Sequence, residues 1–566
     1  MMRCCLMPLI RAFLTKGNML GKFGVIRFFR RPISYSFLST LVGIYFGTIL
    51  NAPIINEFIK VTKGTDSFSY ALIVSIPILL SSVFVIVFQL FAFPLINKLI
   101  FIPLIITSAS CVYATLHYGV IWDIGMIENT IETDPSEALG FLSFGSISFV
   151  IMLGIFPSIF IALKKTGFRA TLLKEISERI ITIVIAVFVG FLVVKINYKE
   201  IAAVGRNHSY MDKMVTPTHV YGTYKYLKKY VFSDPIEYRE LGDDAKIIPN
   251  HSNKPNLIFV VLGETARSQN IQYNGYSRNT NPYTEKYGLV SFSSVESCGT
   301  ATAHSVPCMF SNLSRQSYKK EIANSQSNVL DIIQKSGYQL LWKENDGGDK
   351  GVAKHIPFVE LARNRSEFCD GSYCYDEALI TDVDKNIQDM ESPNKLLAFH
   401  IIGSHGTTYY KRYPKSMSVF EPACERQDIE QCTDQEIVNV YDNTIVYTDF
   451  ILSQLIEKLK KYQEKYNVSL IYVSDHGESL GENGLYLHGA PYAFAPEYQT
   501  QVPWFVWLPE ETATAFNIDM DCLKASKDTD ISHDYFFHSL LSLARVSTQE
   551  LNPKLNIFNA CLGAQK

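Results

Sequence analysis

Five long apolar stretches fill the first third of the chain, and they constrain its fold more than any other feature. They run roughly over residues 36–53, 70–93, 99–116, 147–163 and 180–194. Because a helix rises about 1.5 Å per residue, each stretch can cross about 30 Å of hydrocarbon or come close to it. A buried core could explain one such stretch, but five in succession predict five transmembrane helices.

The charged residues between these stretches predict the orientation of the spans. Basic residues precede the first span (Arg27, Arg30 and Arg31) and separate the fourth from the fifth (Lys164, Lys165, Arg169, Lys174 and Arg179). The loop over residues 118–142 contains no Lys or Arg and carries five carboxylates. Since short basic loops remain in the cytoplasm, we expect this loop outside. After five crossings the chain beyond residue 200 is then outside as well.

The length and the uneven composition predict several regions, because 566 residues are too many for one compact domain. Residues 1–34 form a basic cytoplasmic lead-in, and residues 35–200 form the five-helix transmembrane domain. Residues 201–250 are interfacial linker helices, and residues 251–566 are a soluble catalytic domain. The formal net charge of −3 and the lack of a basic stripe with interleaved aromatics argue against a nucleic-acid partner.

The linker contains a predicted helix with Thr216 as N-cap and Pro217 at its first position. Tyrosines and lysines alternate along it, a composition that suits a helix on the lipid headgroup layer. An amphipathic helix packed on the soluble domain has the same pattern, so both interpretations stay open.

Cysteine spacing agrees with an external location. Of 11 cysteines, six form close pairs in the polar region: Cys298 with Cys308, Cys369 with Cys374, and Cys424 with Cys432. Such short loops are typical of disulfides in an oxidising compartment. A thiolate zinc site is the alternative, but no pair has the Cys-x2-Cys spacing of zinc ribbons. Cys522 and Cys561 are a fourth pair or free thiols, whereas Cys4, Cys5 and Cys111 are interpreted as unpaired.

Polar residues follow three apolar runs that we interpret as buried strands. Residues 257–262 lead to Glu264, residues 396–402 lead to His405, and residues 468–473 lead to Asp475 and His476. From about residue 256, strands alternate with helical segments such as 442–463, which predicts an α/β/α sandwich. Sheets of this kind carry their chemistry at the carboxyl ends of the strands. One such end can be an ordinary turn, but three ends and the later His488 predict a divalent metal such as zinc.

A hydroxyl-rich segment between Cys298 and Cys308 contains the candidate nucleophiles. Four hydroxyls, those of Ser297, Thr300, Thr302 and Ser305, are candidates, and the sequence does not choose among them. Since a hydroxyl is a weak nucleophile until a metal or a base activates it, we expect this segment beside the metal ligands.

At these motifs the chain resembles the lipid A phosphoethanolamine transferases, the family that includes the mobile colistin-resistance enzymes, within the alkaline phosphatase and sulfatase superfamily. The matching motifs are GETAR (263–267), CGTAT (298–302), SVPC (305–308), GSHG (403–406) and SDHGE (474–478). MIENT (126–130) with TDPSE (133–137) matches an outside loop of the same family. The resemblance covers nearly the whole chain after residue 34, including the five-helix count and the three cysteine pairs.

The resemblance implies a role for each matching residue. Thr302 would be the nucleophile, and one catalytic zinc, with a second zinc as an alternative, would be held by Glu264, Thr302, Asp475 and His476. His405 and His488 would contact the substrate phosphate or a second zinc, and either one would act as general acid. Substrate contacts would come from Lys350, Asn129, Thr133 and Glu137. The chain departs from the mobile enzymes at Asp346 and Gly347, where those are richer in Asn and Ser.

The implied activity is transfer of phosphoethanolamine from phosphatidylethanolamine to a phosphate of lipid A in lipopolysaccharide, through a phosphothreonine intermediate and with release of diacylglycerol. The enzyme would lie in the bacterial inner membrane with its catalytic domain in the periplasm, and it would confer polymyxin resistance. Core sugars or periplasmic glucans are alternative acceptors. A related phosphatase or sulfatase-like hydrolase, a glycerol-phosphate transferase and a membrane-bound sensor are the rival functions. The sulfatase Cys-x-Pro-x-Arg motif is missing, the cysteine pairs are not expected of a glycerol-phosphate transferase, and complete metal ligands argue against a sensor.

Overall fold

The computed structural model describes residues 31–63, 70–133, 135–168, 171–361, 367–371 and 373–563. The chain divides into two compact units. The first consists of the described residues of Met1–Leu116 and Phe144–Val220, and the second of those of His117–Ser143 and Tyr221–Lys566. The predicted lead-in up to residue 30, with Arg27 and Arg30, lies outside the described residues.

Among the described residues up to 231, the helices follow in chain order: α1 Tyr35–Thr48, α2 Ala52–Thr62, α3 Tyr70–Gln89, α4 Ile96–Tyr118, α5 Ile124–Glu132, α6 Pro135–Gly140, α7 Phe144–Val150, α8 Phe156–Leu163, α9 Leu172–Ile196, α10 Tyr198–Asn207 and α11 Thr218–Tyr226. A π-helical segment, Ile151–Ile155, joins α7 to α8. A 3₁₀ helix, Ser209–Met214, precedes α11, and a π-helical segment, Leu227–Val231, extends it.

The five predicted spans are confirmed as helices long and apolar enough to cross a membrane: Tyr35–Thr62, Tyr70–Gln89, Ile96–Tyr118, Phe144–Leu163 and Leu172–Ile196. Several extend beyond the predicted limits, because hydrogen-bonding residues rather than the ends of the apolar runs set their ends. The side chain of Thr171, for example, accepts from Lys174 N and caps α9 eight residues before the predicted start of the fifth span.

Small residues explain the close packing of α1 on α3. A Cβ atom on Gly47 would collide with the backbone of Ser81, and one on Gly43 would collide with Val85. Glycine therefore lets the two helix backbones approach each other, as is common where lipid provides no hydrophobic drive for helix association.

The linker helix α11 begins at Thr218, one residue after the predicted position of Pro217. Tyr221 and Tyr224 are exposed on it. An exposed aromatic face is compatible with the headgroup interpretation of this helix.

The second unit is built on a seven-stranded sheet. The strands of this unit are β1 Lys246–Ile247, β2 Asn256–Gly263, β3 Val290–Phe292, β4 Val295–Glu296, β5 Gln339–Glu344, β6 Phe358–Glu360, β7 Lys395–His400, β8 Asn467–Ser474, β9 Ser479–Leu480, β10 Tyr486–Leu487, β11 Trp504–Trp507, β12 Ile531–Ser532 and β13 Val546–Ser547. The order in the sheet is β3-β11-β8-β2-β7-β5-β6. The strands from β8 to β6 run parallel, and β11 is antiparallel to both of its neighbours.

The three central strands are buried along their whole length, as expected for parallel strands covered on both faces. In register, Val260 of β2 lies between Ala398 of β7 and Ile471 of β8. All three residues belong to the main hydrophobic core. The predicted α/β sandwich is thereby confirmed.

The remaining helices of the second unit are α12 Thr302–Met309, α13 Lys320–Ala323, α14 Val329–Lys335, α15 Val383–Asp389, α16 Asp434–Lys460, α17 Glu497–Thr500, α18 Glu510–Phe516, α19 Met520–Ala525 and α20 Phe536–Leu543. The predicted helix 442–463 corresponds to α16, which starts eight residues earlier. A capping box between Thr433 and Glu436 sets this start. The apolar pattern does not reveal the first turns of α16, because they bury polar residues such as Asn439.

The described residues form four disulfides. The three predicted pairs are confirmed as Cys298–Cys308, Cys369–Cys374 and Cys424–Cys432. The sequence left open whether Cys522 and Cys561 form a pair or are free thiols, and the structure joins them in a fourth disulfide. Cys111 is buried on α4, while Cys4 and Cys5 lie outside the described residues.

Candidate functional site

The predicted metal ligands meet at the carboxyl edge of the central sheet. Glu264 follows β2, and Asp475 with His476 follows the neighbouring strand β8. One ligand atom of each residue lies within 4.8 Å of the others, and all three residues are buried. Adjacent parallel strands place their ends side by side, so this convergence follows from the sheet order.

The imidazole of His476 is oriented by the backbone. Its Nδ1 lies 2.9 Å from the carbonyl oxygen of Gly477, so Nδ1 carries the proton and Nε2 carries the lone pair. Nε2 lies 3.2 Å from Asp475 Oδ2 and 3.5 Å from Glu264 Oε1. Burial lowers the pKa of His476 to about 4, which keeps the ring neutral and able to bind a metal.

The hydroxyl of Thr302 completes this group of atoms. Thr302 is the first residue of α12, and its Oγ1 lies 3.1 Å from Glu264 Oε2 and 3.2 Å from His476 Nε2. The other three candidate hydroxyls donate to backbone oxygens: Ser297 to Gly299, Thr300 to Ala490 and Ser305 to Asp475. Of the four, Thr302 therefore has the hydroxyl that faces the Glu264 carboxylate and the His476 imidazole.

The backbone around the ligands is held in an unusual conformation. Thr265 has a φ of +53°, which is rare for a β-branched residue. Its N–H donates to Asp475 Oδ1 at 3.2 Å, and its carbonyl accepts from the Tyr441 hydroxyl at 2.7 Å. These bonds hold Glu264 and Asp475 in fixed relative positions, as expected where strain accompanies a functional site.

The donor set fits a zinc ion. Two carboxylates, an imidazole nitrogen and a hydroxyl are oxygen and nitrogen donors that zinc accepts in a tetrahedral arrangement. Asp475 Oδ1 accepts from the N–H groups of His476 and Thr265, so its orientation is fixed. Oδ2 is buried and accepts no hydrogen bond in the part of the chain that the structure describes. A buried carboxylate oxygen of this kind is stabilised by a cation.

Two further histidines lie beside the ligands. The ring of His488 is 4.5 Å from that of His476, and the ring of His405 is 5.7 Å from that of His488, measured between centroids. Glu478 orients His488, because its Oε2 lies 2.9 Å from His488 Nδ1 and its Oε1 accepts from the Tyr409 hydroxyl. His476, Glu478 and His488 also form a second group of potential metal ligands.

Lys350 lies on the loop after β5, close to a charged group that the sequence did not reveal. His400 Nδ1 is 3.0 Å from Glu344 Oε2, and His400 Nε2 is 3.5 Å from Asp346 Oδ2. Burial raises the pKa of Asp346 to about 6, opposed by the charges of His400, His405 and Lys350. Burial lowers the pKa of His400, but the carboxylates of Glu344 and Asp346 outweigh it and raise that pKa to about 9. The sequence did not reveal this group because the apolar run 396–402 contains His400, whereas its partners Glu344 and Asp346 lie at the end of the neighbouring strand β5.

The predicted headgroup contacts lie on and after α5, which belongs to the same unit and packs against α12. Asn129 is half-buried, and its carbonyl accepts a hydrogen bond from the Thr133 hydroxyl at 2.7 Å. The side chain of Glu137 lies outside the described residues. Lys320 joins α5 to the region of α12 through ion pairs of 2.7 Å with Glu128, which is buried, and with Glu132, which is half-buried.

Sequence models of two known families match the chain. The one described as "Phosphoethanolamine transferase EptA/EptB" matches residues 80–231, and the one described as "Sulfatase" matches residues 255–546. Together with the fold and the site, these matches define the class: a multi-pass membrane protein whose soluble carboxyl-terminal domain belongs to the sulfatase fold family.

Individual relatives narrow this class. Phosphoethanolamine transferase EptA of Escherichia coli K12 is 35% identical over 542 residues, which cover 94% of this chain and 98% of the relative. Phosphatidylethanolamine transferase Mcr-1 of Escherichia coli is 32% identical over 540 residues, 93% of this chain and 98% of the relative. The integral membrane lipooligosaccharide phosphoethanolamine transferase A from Neisseria meningitidis has a solved structure with a TM-score of 0.89. It is 31% identical, and the match covers 94% of this chain and all of that one. The chain belongs to the phosphoethanolamine transferase family, which confirms the resemblance seen in its motifs.

Proposed function

We propose that this protein transfers phosphoethanolamine from phosphatidylethanolamine to a phosphate group of lipid A, with Thr302 as the covalent nucleophile. The observation that carries the proposal is the position of Thr302 Oγ1, 3.1 Å from Glu264 Oε2 and 3.2 Å from His476 Nε2. A hydroxyl held among metal ligands is suited to activation. Membership of the transferase family supports the nature of the transferred group.

Glu264, Asp475, His476 and Thr302 would hold the catalytic zinc. When bound, the ion lowers the pKa of a coordinated hydroxyl and draws charge from the phosphoryl oxygens. Asp475 keeps its orientation through hydrogen bonds from two backbone N–H groups, and His476 keeps Nε2 available through its Nδ1 bond to Gly477. If a second zinc binds, His476, Glu478 and His488 are its candidate ligands.

The first half-reaction forms a phosphothreonine linkage. Thr302 Oγ1 passes its proton to Glu264 Oε2, the oxygen that accepts its hydrogen bond at 3.1 Å, and attacks the phosphorus of phosphatidylethanolamine, while the bond from phosphorus to the diacylglycerol oxygen breaks. His405 or His488 donates a proton to that oxygen, and diacylglycerol leaves. Lys350 contacts the phosphoryl oxygens, and Asn129, Thr133 and Glu137 contact the headgroup.

The second half-reaction regenerates the enzyme. An oxygen of a lipid A phosphate attacks the same phosphorus, the bond from phosphorus to Thr302 breaks, and the Thr302 oxygen takes back its proton from Glu264. Because the first product leaves before the acceptor reacts, ping-pong kinetics are expected. Added phosphoethanolamine lowers the negative charge of lipid A, which supports a role in polymyxin resistance. The acidic loop over residues 118–142 supports a location of the catalytic domain on the periplasmic side of the inner membrane.

Substitution of the nucleophile tests this proposal. Thr302→Ala removes the reacting hydroxyl from a small buried site, so we expect loss of lipid A modification with normal folding and membrane insertion. Thr300→Ala is the matched control, because Thr300 is two residues away and its hydroxyl donates to the carbonyl of Ala490. Mass spectrometry of lipid A from expressing cells measures both effects. Activity in Thr302→Ala, or equal loss in both variants, contradicts the proposal, and phosphoethanolamine found on core sugars or glucans identifies a different acceptor.

A further inference from the structure

A buried histidine that takes no part in the proposed chemistry connects the two halves of the site. His533 follows β12 at the start of a 3₁₀ turn, His533–Tyr535, and is 1% exposed. Its Nε2 lies 3.0 Å from the carbonyl oxygen of Ser474. Its Nδ1 lies 3.1 Å from the backbone nitrogen of Cys298.

The hydrogen bonds determine the tautomer of His533. A backbone N–H can only donate, so Nδ1 must accept from Cys298. The proton therefore resides on Nε2, which donates to the Ser474 carbonyl. Burial lowers the pKa of His533 to about 4, so the ring keeps this neutral form near neutral pH.

The two partners of His533 lie at the origins of the two halves of the site. Ser474 ends β8 and directly precedes Asp475 and His476. Cys298 begins the segment that leads to Thr302, and its disulfide to Cys308 closes this segment onto α12. His533 thus bridges the backbone that carries the metal ligands and the backbone that carries the nucleophile.

Neighbouring contacts hold His533 in this position. Strand β12 pairs in parallel with β4, with Ser532 opposite Glu296. The Ser305 hydroxyl, one turn after Thr302, donates to the carbonyl of Asp475 and lies 3.3 Å from His533 Nδ1. Two side chains therefore connect the end of β8 to the segment Cys298–Cys308.

We propose that His533 is a positioning residue that sets the distance between the Thr302 hydroxyl and the cluster Glu264, Asp475 and His476. This inference rests on the proposed role of Thr302 as nucleophile. A displacement of about 1 Å between reacting groups can cost about 100-fold in rate. Loss of one hydrogen bond of His533 should therefore slow attack by Thr302 and leave the contacts with substrate unchanged.

Two substitutions separate the two hydrogen bonds of His533. The amide oxygen of His533→Asn lies near the position of Nδ1 and still accepts from Cys298, but the bond to Ser474 is lost. The amide nitrogen of His533→Gln lies near the position of Nε2 and still donates to Ser474, but the bond from Cys298 is lost. His538→Asn and His538→Gln are matched controls, because His538 is also buried and its Nδ1 accepts from Asn552 N at 3.1 Å.

The measurement is single-turnover formation of the Thr302 adduct by the purified full-length enzyme with phosphatidylethanolamine in detergent, followed by intact-protein mass spectrometry. We expect both His533 variants to form the adduct about 10- to 100-fold more slowly, with an unchanged half-saturating concentration of phosphatidylethanolamine and unchanged zinc content. The His538 variants should lower the thermal midpoint by a similar amount without slowing the reaction. Ser305→Ala should enhance the defect of His533→Gln more than additively, because it removes the parallel connection.

Rates in the His533 variants that equal the wild-type rate overturn the inference. The inference also fails if the His538 variants slow the reaction as much at an equal loss of stability. It fails as well if the His533 variants raise the half-saturating concentration of phosphatidylethanolamine and leave the maximal rate of adduct formation unchanged. If one His533 variant does not fold, the other variant and the coupling with Ser305→Ala decide the question. A wild-type enzyme that binds zinc but forms no adduct at Thr302 rejects the proposed function, and the His533 inference with it, which is a different result from failure of the His533 variants alone.

Discussion

At the scale of single residues, hydrogen bonds to the ring nitrogens fix the orientation of the histidines in and beside the site. A carbonyl oxygen holds Nδ1 of His476 and a carboxylate holds Nδ1 of His488, whereas both ring nitrogens of His533 bond to the backbone. The rings of His476 and His488 therefore present Nε2 in a defined direction, which is how outer contacts orient the ligands of metal sites.

Burial of neutral histidines predicts a pH-dependent stability that can be measured at His538. Burial lowers its pKa to about 4, below the value near 6.5 expected in the unfolded chain. A lowered pKa means that the folded state binds the proton less tightly than the unfolded chain does. The contribution of His538 to the free energy of unfolding is therefore fully present above pH 6.5 and is lost as the pH drops towards 4. Relative to His538→Asn, which keeps the acceptor and does not titrate, the wild-type protein should lose about 2 kcal/mol between pH 7 and pH 4.5.

Urea unfolding of the full chain in detergent, followed by tryptophan fluorescence, measures this difference. The comparison with a variant is necessary because buried carboxyls act in the opposite direction: burial raises the pKa of Asp376 and of Asp449 to about 6. A stability difference that is constant across this pH range contradicts the prediction.

At the scale of elements, the site depends on which strands are neighbours and on a helix that begins at the nucleophile. Parallel pairing of β2 with β7 and with β8 places three strand ends in one row. Helix α12 begins at Thr302 and is closed onto the preceding segment by a disulfide. Helix α5 is joined to this region by Lys320, whose side chain is buried between two carboxylates.

Removal of the Lys320 charge should release α5. Lys320→Met leaves Glu128, with only 8% of its side chain exposed, without its ion-pair partner, and breaking a buried pair in this way costs about 3–5 kcal/mol. We expect faster hydrogen exchange in α5 and slower lipid modification, with unchanged zinc content. Lys335→Met is the control, because Lys335 pairs with the exposed carboxylates of Glu240 and Asp243. Equal exchange in α5 of both variants would show that Lys320 does not secure this helix.

At the scale of the whole molecule, residues 117–143 belong to the same compact unit as the catalytic domain, although they lie between membrane helices in the sequence. The acidic composition of this segment predicts that it lies outside the cytoplasm, together with the site. Both the topology and the division of labour between the units can be tested.

Reporter fusions test the topology. Fusion at residue 170 should give a cytoplasmic signal because basic residues surround it, and fusion at residue 130 should give an external one. An external signal at residue 170 would reverse the predicted orientation and place the site in the cytoplasm.

A fragment over residues 205–566 tests the contribution of the rest of the chain. It contains Glu264, Thr302, Asp475 and His476 and all four disulfides, so we expect it to fold, to bind zinc and to release the headgroup slowly from a soluble phosphatidylethanolamine analogue. It lacks α5 and the membrane that concentrates both lipids, and loss of positioning can cost several kcal/mol of a barrier. The exported fragment should therefore fail to modify lipid A in cells, as measured by mass spectrometry. Modification equal to that by the full-length enzyme would reduce the membrane unit to an anchor.

The class of fold and most of the site could be read from local sequence. Membrane spans depend on the length and polarity of continuous stretches, and the ends of buried strands depend on apolar runs followed by polar residues, so both are visible without tertiary structure. The same reasoning predicts Glu264, His405, Asp475 and His476 as site residues. The motifs around them indicated the family, and the spacing of the cysteines predicted three disulfides.

Contacts between distant segments were decided by the tertiary structure alone. The residues alone leave four candidate hydroxyls open, and the tertiary structure places that of Thr302 against Glu264, 38 residues earlier in the chain. The pair His400 and Glu344, the bond Cys522–Cys561 and the connection of His533 to Ser474 join residues 39 to 59 positions apart. Hydrophobic periodicity describes the environment of each segment, but a hydrogen bond or an ion pair depends on the relative placement of two segments, and the packing of the whole sheet sets that placement.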